Sequence, residues 1–460
     1  MGLFIVIALP YLLSLADKLF RGSHSVDVVE DKITAVEQLI ETTITNIPEI
    51  LAYSVYSDET SSGPLYYPGL KPLWPAVYSD SDIGVVSGAD GLILVTQDDG
   101  QHWNKIPTNT NNALWPAVFT NENLGVISGE NGSIYISSDG GLNWNSFQTS
   151  VNEDLNPPFF SDGNTGVITG NRGILLHTTN SGLTWSSRDS GVFADLNSPV
   201  FINDKTVIIS GESGVVLRSD NGGSTWRDIS INTTANLTSI TVESDHIIVT
   251  GEAGSLFHSS LKDIQWQKTN TTGRDTLNAA VFSSSGIGVV TGENGAIFIG
   301  NAANGVWQRY SVSVSSDLHP PYFTKQGIGL ITGDDGTLLI SSDAGKNWAV
   351  YELNVPVDLN PPVFTSNGIG LISGDEGSLF ISNTGGQSWS PINTGIPSDL
   401  QPPISSPNGQ LLIAGDDGSL LMSDNDGLTW KSLKTGIETD LQIPVFNDDG
   451  IATISSFGGI

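Results

Sequence analysis

Cysteine is absent from the 460 residues, methionine occurs twice, and lysine and arginine together number only 18. Without cysteine there is neither a disulfide framework nor a thiolate metal site. The shortage of cations, set against 49 Asp and Glu, leaves a net charge of −31. That balance opposes binding to nucleic acid or to anionic lipid, both of which need a basic footprint. It suits solubility, hydrated divalent cations or a basic partner. Charged residues of both signs make up only 15% of the chain, so Ser, Thr, Asn and Gly must finish the surface. The six histidines, His24, His102, His177, His246, His258 and His319, are scattered with no metal-ligand spacing. No phosphate loop or nucleophile elbow is present, and neither a cofactor nor a metal site is expected.

The chain does have 52 Gly and 22 Pro, a turn-rich composition. Its Val, Ile, Leu and Trp content argues against disorder. Nine tryptophans form a ruler: Trp103, Trp144, Trp185, Trp226, Trp266, Trp307, Trp348, Trp389 and Trp430. Each step is 41 residues, except 40 between Trp226 and Trp266. A period near 40 containing four short β-rich runs is the pattern of a propeller blade. In the unit at 359–391 those runs are PVFT, GIGLIS, GSLFIS and SWSP. The second run ends in a G-x-x-G turn that recurs from Gly88–Gly91 to Gly415–Gly418.

First strands number ten, opening at Trp74, Trp115, Asn156, Asn197, Thr238, Asn278, His319, Asn360, Gln401 and Gln442. The last unit stops after two strands. Forty-one residues before Gly91, the stretch ILAYSVYSD (50–58) overlies GLILVTQDD. The expectation is therefore an all-β chain: a single large propeller of about ten four-stranded blades over 49–460. Strands from both ends would close the ring and remove its free edges.

Between the third and fourth runs lies a motif that resembles the Asp-box, or BNR, repeat, S/T-x-D-x-G-x-x-W. It is intact in TQDDGQHW (96–103), SSDGGLNW (137–144) and SSDAGKNW (341–348). Asn replaces the Asp before Trp185, Trp226 and Trp430, Thr384 replaces it before Trp389, and the motif is nearly lost before Trp266 and Trp307. Hydroxyl and carboxylate should hydrogen-bond the backbone of a tight turn while the Trp packs on a neighbouring sheet. The unit is similar to sialidase-type and sortilin-type propellers, and most similar to photosystem II assembly and stability factor propellers. That resemblance implies the propeller fold and a protein-binding, assembly role.

A sialidase would need an arginine triad. The seven arginines (Arg21, Arg172, Arg188, Arg218, Arg227, Arg274 and Arg309) do not stand in that family's Arg-Ile-Pro setting. Xyloglucanase-type glycosidases need two carboxylates flanking a cleft and join two propellers, whereas this chain has length for one. No enzyme is expected, with a carbohydrate-binding or glycoside-hydrolase propeller as the alternative.

Two features are candidate sites. The loops leading into the first strands carry Asp154, Asp195, Asp317, Asp358, Asp399 and Asp440 in equivalent positions. The G-x-x-G turns carry Asp90, Glu130, Glu212, Glu252, Glu293, Asp334, Asp335, Asp375, Glu376, Asp416 and Asp417. In a four-stranded blade both loop types emerge on one face, so an acidic docking face is expected, for a basic protein partner or divalent cations. Turn preference for Asp also accounts for the pattern. The second feature is the repeated LWPAV, which puts Trp74 and Trp115 in adjacent blades near the channel mouth. They could stack on a sugar, anchor a partner, or merely fill the first blades.

Residues 2–16 are almost wholly apolar, shorter than a spanning helix, and lack the basic start and cleavage site of a secretory signal. Expected domains are an apolar helix at 1–21, an amphipathic helix or linker at 22–48, and the propeller. Leu3, Phe4, Ile5, Val6, Ile7, Leu12 and Leu13 would mediate packing between copies in a filament, loosely resembling a pilin-like subunit. Membrane contact is expected only through this segment. The leading expectation is a non-catalytic, extracytoplasmic protein-binding scaffold, with the self-assembling subunit as rival.

Overall fold

The computed structural model describes residues 55–56, 73–120, 123–161, 163–271, 273–301 and 305–456. The expected helices at 1–21 and 22–48, with the assembly residues Leu3 to Leu13, lie outside the described residues.

The repeat unit builds a blade as its sequence suggests. In blade 1, strands β2 (Val77–Tyr78), β3 (Gly84–Ser87), β4 (Ile93–Thr96) and β5 (His102–Lys105) form an antiparallel meander. Their register fixes Val85 opposite Val95 and Leu94 opposite Lys105. Strands β3 and β4 are buried throughout, so they read as continuous apolar runs rather than as an alternation. The same four-stranded order recurs in nine blades among the described residues.

The Asp-box turns join sheet to sheet. In blade 2 the Ser137 hydroxyl donates to Asp139 (2.8 Å) and accepts from the Gly141 amide (2.8 Å), and Asp139 accepts from the Asn143 amide (3.0 Å). Thr384 does the same work in blade 8, accepting from the Ser388 amide at 2.9 Å. The motif tolerates Thr because only one short-range acceptor is required. From blade 2 onward the box Trp packs on the preceding blade, as where Trp144 shares a core with Val85 and Ile93, and Trp389 with Leu330 and Leu338; Trp103 packs within blade 1, with Val86 and Leu94. Phe119 meets Trp144 edge-on at 6.1 Å. Such a Trp buries a large apolar surface between two sheets, worth several kcal/mol if truncated, about 3–5. In blade 5, where the box is nearly lost, longer strands replace it: Leu237–Glu243, His246–Gly251 and Ser255–Ser260.

The expectation of ten complete blades is corrected to nine. The tenth unit has two strands, Val445–Phe446 and Ala452–Thr453, paired with each other. Strand β1 (Val55–Tyr56), expected to help complete that unit, runs instead parallel to β5, with Val55 opposite His102. A 41-residue frame marks a place in the repeat, but a two-residue strand pairs wherever an open sheet edge is available, and β5 offers one.

The two-stranded unit sits as a half-blade between blades 9 and 1. Phe446, Ala452 and Ile454 pack with Leu412, Ala414 and Leu420 of blade 9. On the other side the Tyr78 and Thr453 hydroxyls hydrogen-bond, and the Asn447 amide donates to Asp99 at 2.7 Å. The ring is thus joined by side-chain packing rather than by a shared sheet.

Candidate functional site

Five of the six candidate loop aspartates act on two neighbouring turns. Asp399 lies in the loop that leads into blade 9. Its carboxylate accepts the Glu376 amide of blade 8 at 2.9 Å, while its own carbonyl accepts the Asp416 amide of blade 9 at 3.0 Å. The carboxylates of Asp154, Asp195, Asp317, Asp358 and Asp440 accept the Asn131, Arg172, Asn294, Asp335 and Asp417 amides at 2.7–3.2 Å. The carbonyls of Asp154, Asp195, Asp317 and Asp358 likewise accept from their own blade's turn. The donor residues have φ near +51° to +55°, a backbone that points the amide out of the turn toward the next loop. In blade 5, Asn236 fills the position and accepts the Ser213 amide at 3.2 Å. What the staple requires is a side-chain oxygen, not a charge.

Asp399→Ala should therefore cost about 1–2 kcal/mol, because the Glu376 amide loses its partner, whereas Asp399→Asn keeps the acceptor. Chemical denaturation of both variants checks this: equal losses would mean that the contact does not contribute as described.

The staples hold in place the turns that carry the charge. Three successive turns, in blades 7, 8 and 9, each carry two acids: Asp334 and Asp335, Asp375 and Glu376, Asp416 and Asp417. Partial burial pushes the Asp375 carboxyl up, reinforced by Asp399, Asp358, Asp416 and Glu376. Burial likewise raises Asp334, reinforced by Asp358 and Asp317, and raises Asp416, reinforced by Asp440 and Asp399. The acidic face foreseen as a full ring is thus densest over one arc. In the equivalent turns of blades 2 to 6, Asn131, Arg172, Ser213, Ala253 and Asn294 occupy the second variable position.

A raised folded-state carboxyl favours the native state at low pH, and that contribution is lost as pH rises through the raised value. Asp98, Asp139 and Asp343 in the Asp-boxes are opposite. Burial raises them, but hydrogen bonds from His102, Asn143 and Asn347 respectively outweigh it and hold them low. Their contribution is present above the ordinary carboxylate range and is lost as pH falls through the lowered values. The triple variant Asp334→Asn, Asp375→Asn, Asp416→Asn should melt above the wild type at neutral pH. The gap should shrink on acidification and with added salt. Melting temperatures across pH test this; a gap that widens on acidification would contradict it.

Trp74 and Trp115 stand in equivalent positions just before the first strands of blades 1 and 2, both partly buried, edge-on with centroids 5.6 Å apart. The Trp115 indole N–H donates to the Leu155 carbonyl of the next blade. At the same place in later blades, the amides of Asn156, Asn197, Asn278 and Asn360 donate to Leu196, Leu237, Leu318 and Leu400 at 2.6–2.7 Å. Trp115 thus does the work of an Asn while adding an aromatic face. Sequence reasoning missed a companion ring: the Ser87, Ser128, Thr291 and Ser373 hydroxyls donate to the Trp115, Asn156, His319 and Gln401 carbonyls at 2.6–2.9 Å. The signal was the Ser or Thr that ends most second strands, just before the turn glycine.

Among the described residues no group of three or more His, Asp or Glu side chains is arranged to hold a metal ion, and no helix is long and apolar enough to cross a membrane.

Comparison with known proteins agrees with the repeat resemblance. The family model described as photosynthesis system II assembly factor YCF48 matches residues 95–190. No curated protein matches the chain. Among solved structures, the chain is similar to one described as "YCF48 bound to D1 peptide", at 21% identity and a TM-score of 0.39, covering 60% of this chain and 93% of that one. YCF48 from Cyanidioschyzon merolae gives 18%, 0.38, and 60% and 96%. An ancestral GH74 enzyme gives 12%, 0.40, and 86% and 75%.

Proposed function

We propose that this propeller is a non-catalytic docking scaffold that binds a protein partner outside the cytoplasm. The observation that carries the reading is the acidic arc over blades 7 to 9, whose turns are pinned through the Asp335, Glu376 and Asp417 amides to the Asp358, Asp399 and Asp440 carboxylates. A catalytic pair needs two carboxyls in unlike environments. Here one geometry is repeated blade after blade, which yields a distributed field and suits a partner carrying positive charge. The matched family model describes an assembly factor, which supports an assembly role. Trp74 and Trp115, edge-on to each other in adjacent blades, offer an aromatic anchor.

A photo-crosslinking residue at Glu376 in cells of the source organism tests the reading. One protein adduct of constant mass is expected from that position, and none from Asn145 on an outer strand. Equal labelling from both positions, or none from either, would defeat it. Protease shaving of intact cells tests the location.

A further inference from the structure

Arg188 of blade 3 occupies a position that most blades give to a hydrophobe. Counting 41 residues either way reaches Phe147 and Ile229, and both pack into cores between blades. Ile392 does the same in blade 8. Blade 3 forgoes that packing. Its Arg188 ends the strand Ser186–Arg188 and donates from Nη2 to Nδ1 of His177, 3.3 Å away, since a guanidinium has no acceptor. His177 is 3% exposed. Burial and the Arg188 charge both depress its pKa, so the imidazole is neutral and able to accept. The guanidinium is thus held in place without a counter-charge. Arg172, Arg218 and Arg227 each meet a carboxylate, whereas among the described residues none is paired with Arg188. A position that gives up packing and gains no ion pair is expected where function requires it.

The cavity beside it, about 430 Å³, is walled by Arg172, Ile174, Arg188, Asp189, Val192 and Phe193, a size suited to a small molecule. Asp189 is engaged within its own loop, accepting the Gly191 amide at 2.9 Å. Arg172 shares a partly exposed pair with Glu153 at 3.4 Å, a contact that an incoming anion can replace at little cost. Phe193 is 87% exposed, where Asn152, Pro397 and Glu438 take the same place in other blades. Two guanidinium groups beside an apolar ring suit an anion that carries a flat apolar body.

We propose that this cavity binds a small aromatic carboxylate, its carboxylate on Arg188 and Arg172 and its ring on Phe193. The site lies in blade 3, apart from the acidic arc of blades 7 to 9, and is independent of the docking reading.

The probe is 2-naphthoate, titrated onto the full chain and followed by its fluorescence, with neutral 2-naphthamide beside it. Saturable binding of the naphthoate is expected, with the amide about tenfold weaker. Arg172→Asn, which copies Asn131 of blade 2, should weaken the naphthoate about threefold, and Phe193→Ser about fivefold. His177→Ile combined with Arg188→Ile restores an apolar seam, as in blade 2, where Ile136 and Phe147 join one core. That double variant should melt no lower than the wild type and lose binding by more than about tenfold. No saturable binding, equal binding of the amide, or full binding by either the Arg172 variant or the double variant overturns the proposal. Inorganic phosphate that displaces the naphthoate as well as benzoate does would overturn the part assigned to Phe193.

Discussion

Gly377→Ala is expected to destabilise the propeller by more than about 4 kcal/mol, while Gly395→Ala costs about 1 kcal/mol. The two glycines have the same backbone penalty to bear, with φ of +70° and +69°. They differ in surroundings. A Cβ on Gly377 would lie 1.6 Å from the Ile396 carbonyl oxygen, in the loop that leads to blade 9, whereas one on Gly395 meets nothing within 4 Å. Backbone cannot rotate away as a side chain can, so the whole inter-blade loop would have to move. That loop leads directly to Asp399, whose carboxylate bonds the Glu376 amide of the same turn. The substitution should therefore loosen the staple and the close contact together. Urea unfolding of both variants measures the difference. Similar midpoints would mean that the turn does not approach its neighbour as described.

Ending the chain at Thr439 should have a comparable or larger effect. The half-blade supplies Leu441, 2% exposed, and covers Leu412, Ala414 and Leu420 on one side and Tyr78 on the other. Each large apolar side chain returned to water costs about 1.5–3 kcal/mol, so the sum is at least about 5 kcal/mol. The Asp440 bond to the Asp417 amide and the Leu441 amide bond to Gly415 are lost as well. Blades 1 and 9 would then face an open gap, and unfolding should start there. Calorimetry is expected to show a melting temperature lower than for Asp399→Ala, with greater hydrogen exchange in β2 and in Ile404–Ser405. An unchanged melt would mean that the half-blade merely rests on a ring that is already stable.

Much of this architecture was legible because it is local and repeated. The tryptophan ruler, the four runs per unit and the Asp-box turn each depend on residues within one unit, and the structure realises them even where Asn or Thr replaces the Asp. Which strands close the ring was not legible. The frame placed residues 50–58 in the last unit, yet the pairing of Val55–Tyr56 with His102–Trp103 is a long-range choice between open edges that no local pattern encodes.

The candidate site was half legible. The acids and their common face could be read from turn positions. Their work as inter-blade acceptors could not, because an Asp that prefers a turn and an Asp that binds a neighbouring amide look alike in sequence. Asn236 was the available clue, since an uncharged residue there shows that the oxygen matters more than the charge. Trp115 carried a role that its bulk concealed: its N–H makes the same bond as Asn156.

The most direct test of the docking account is recovery of the crosslinked partner by the purified chain as ionic strength rises, with wild type beside an Asp335→Asn, Glu376→Gln, Asp417→Asn variant. The account predicts that wild-type binding falls steeply with salt and that the variant binds weakly even at low salt, at a melting temperature no lower than the wild type's. Binding that is equal in the two chains and indifferent to salt would contradict it.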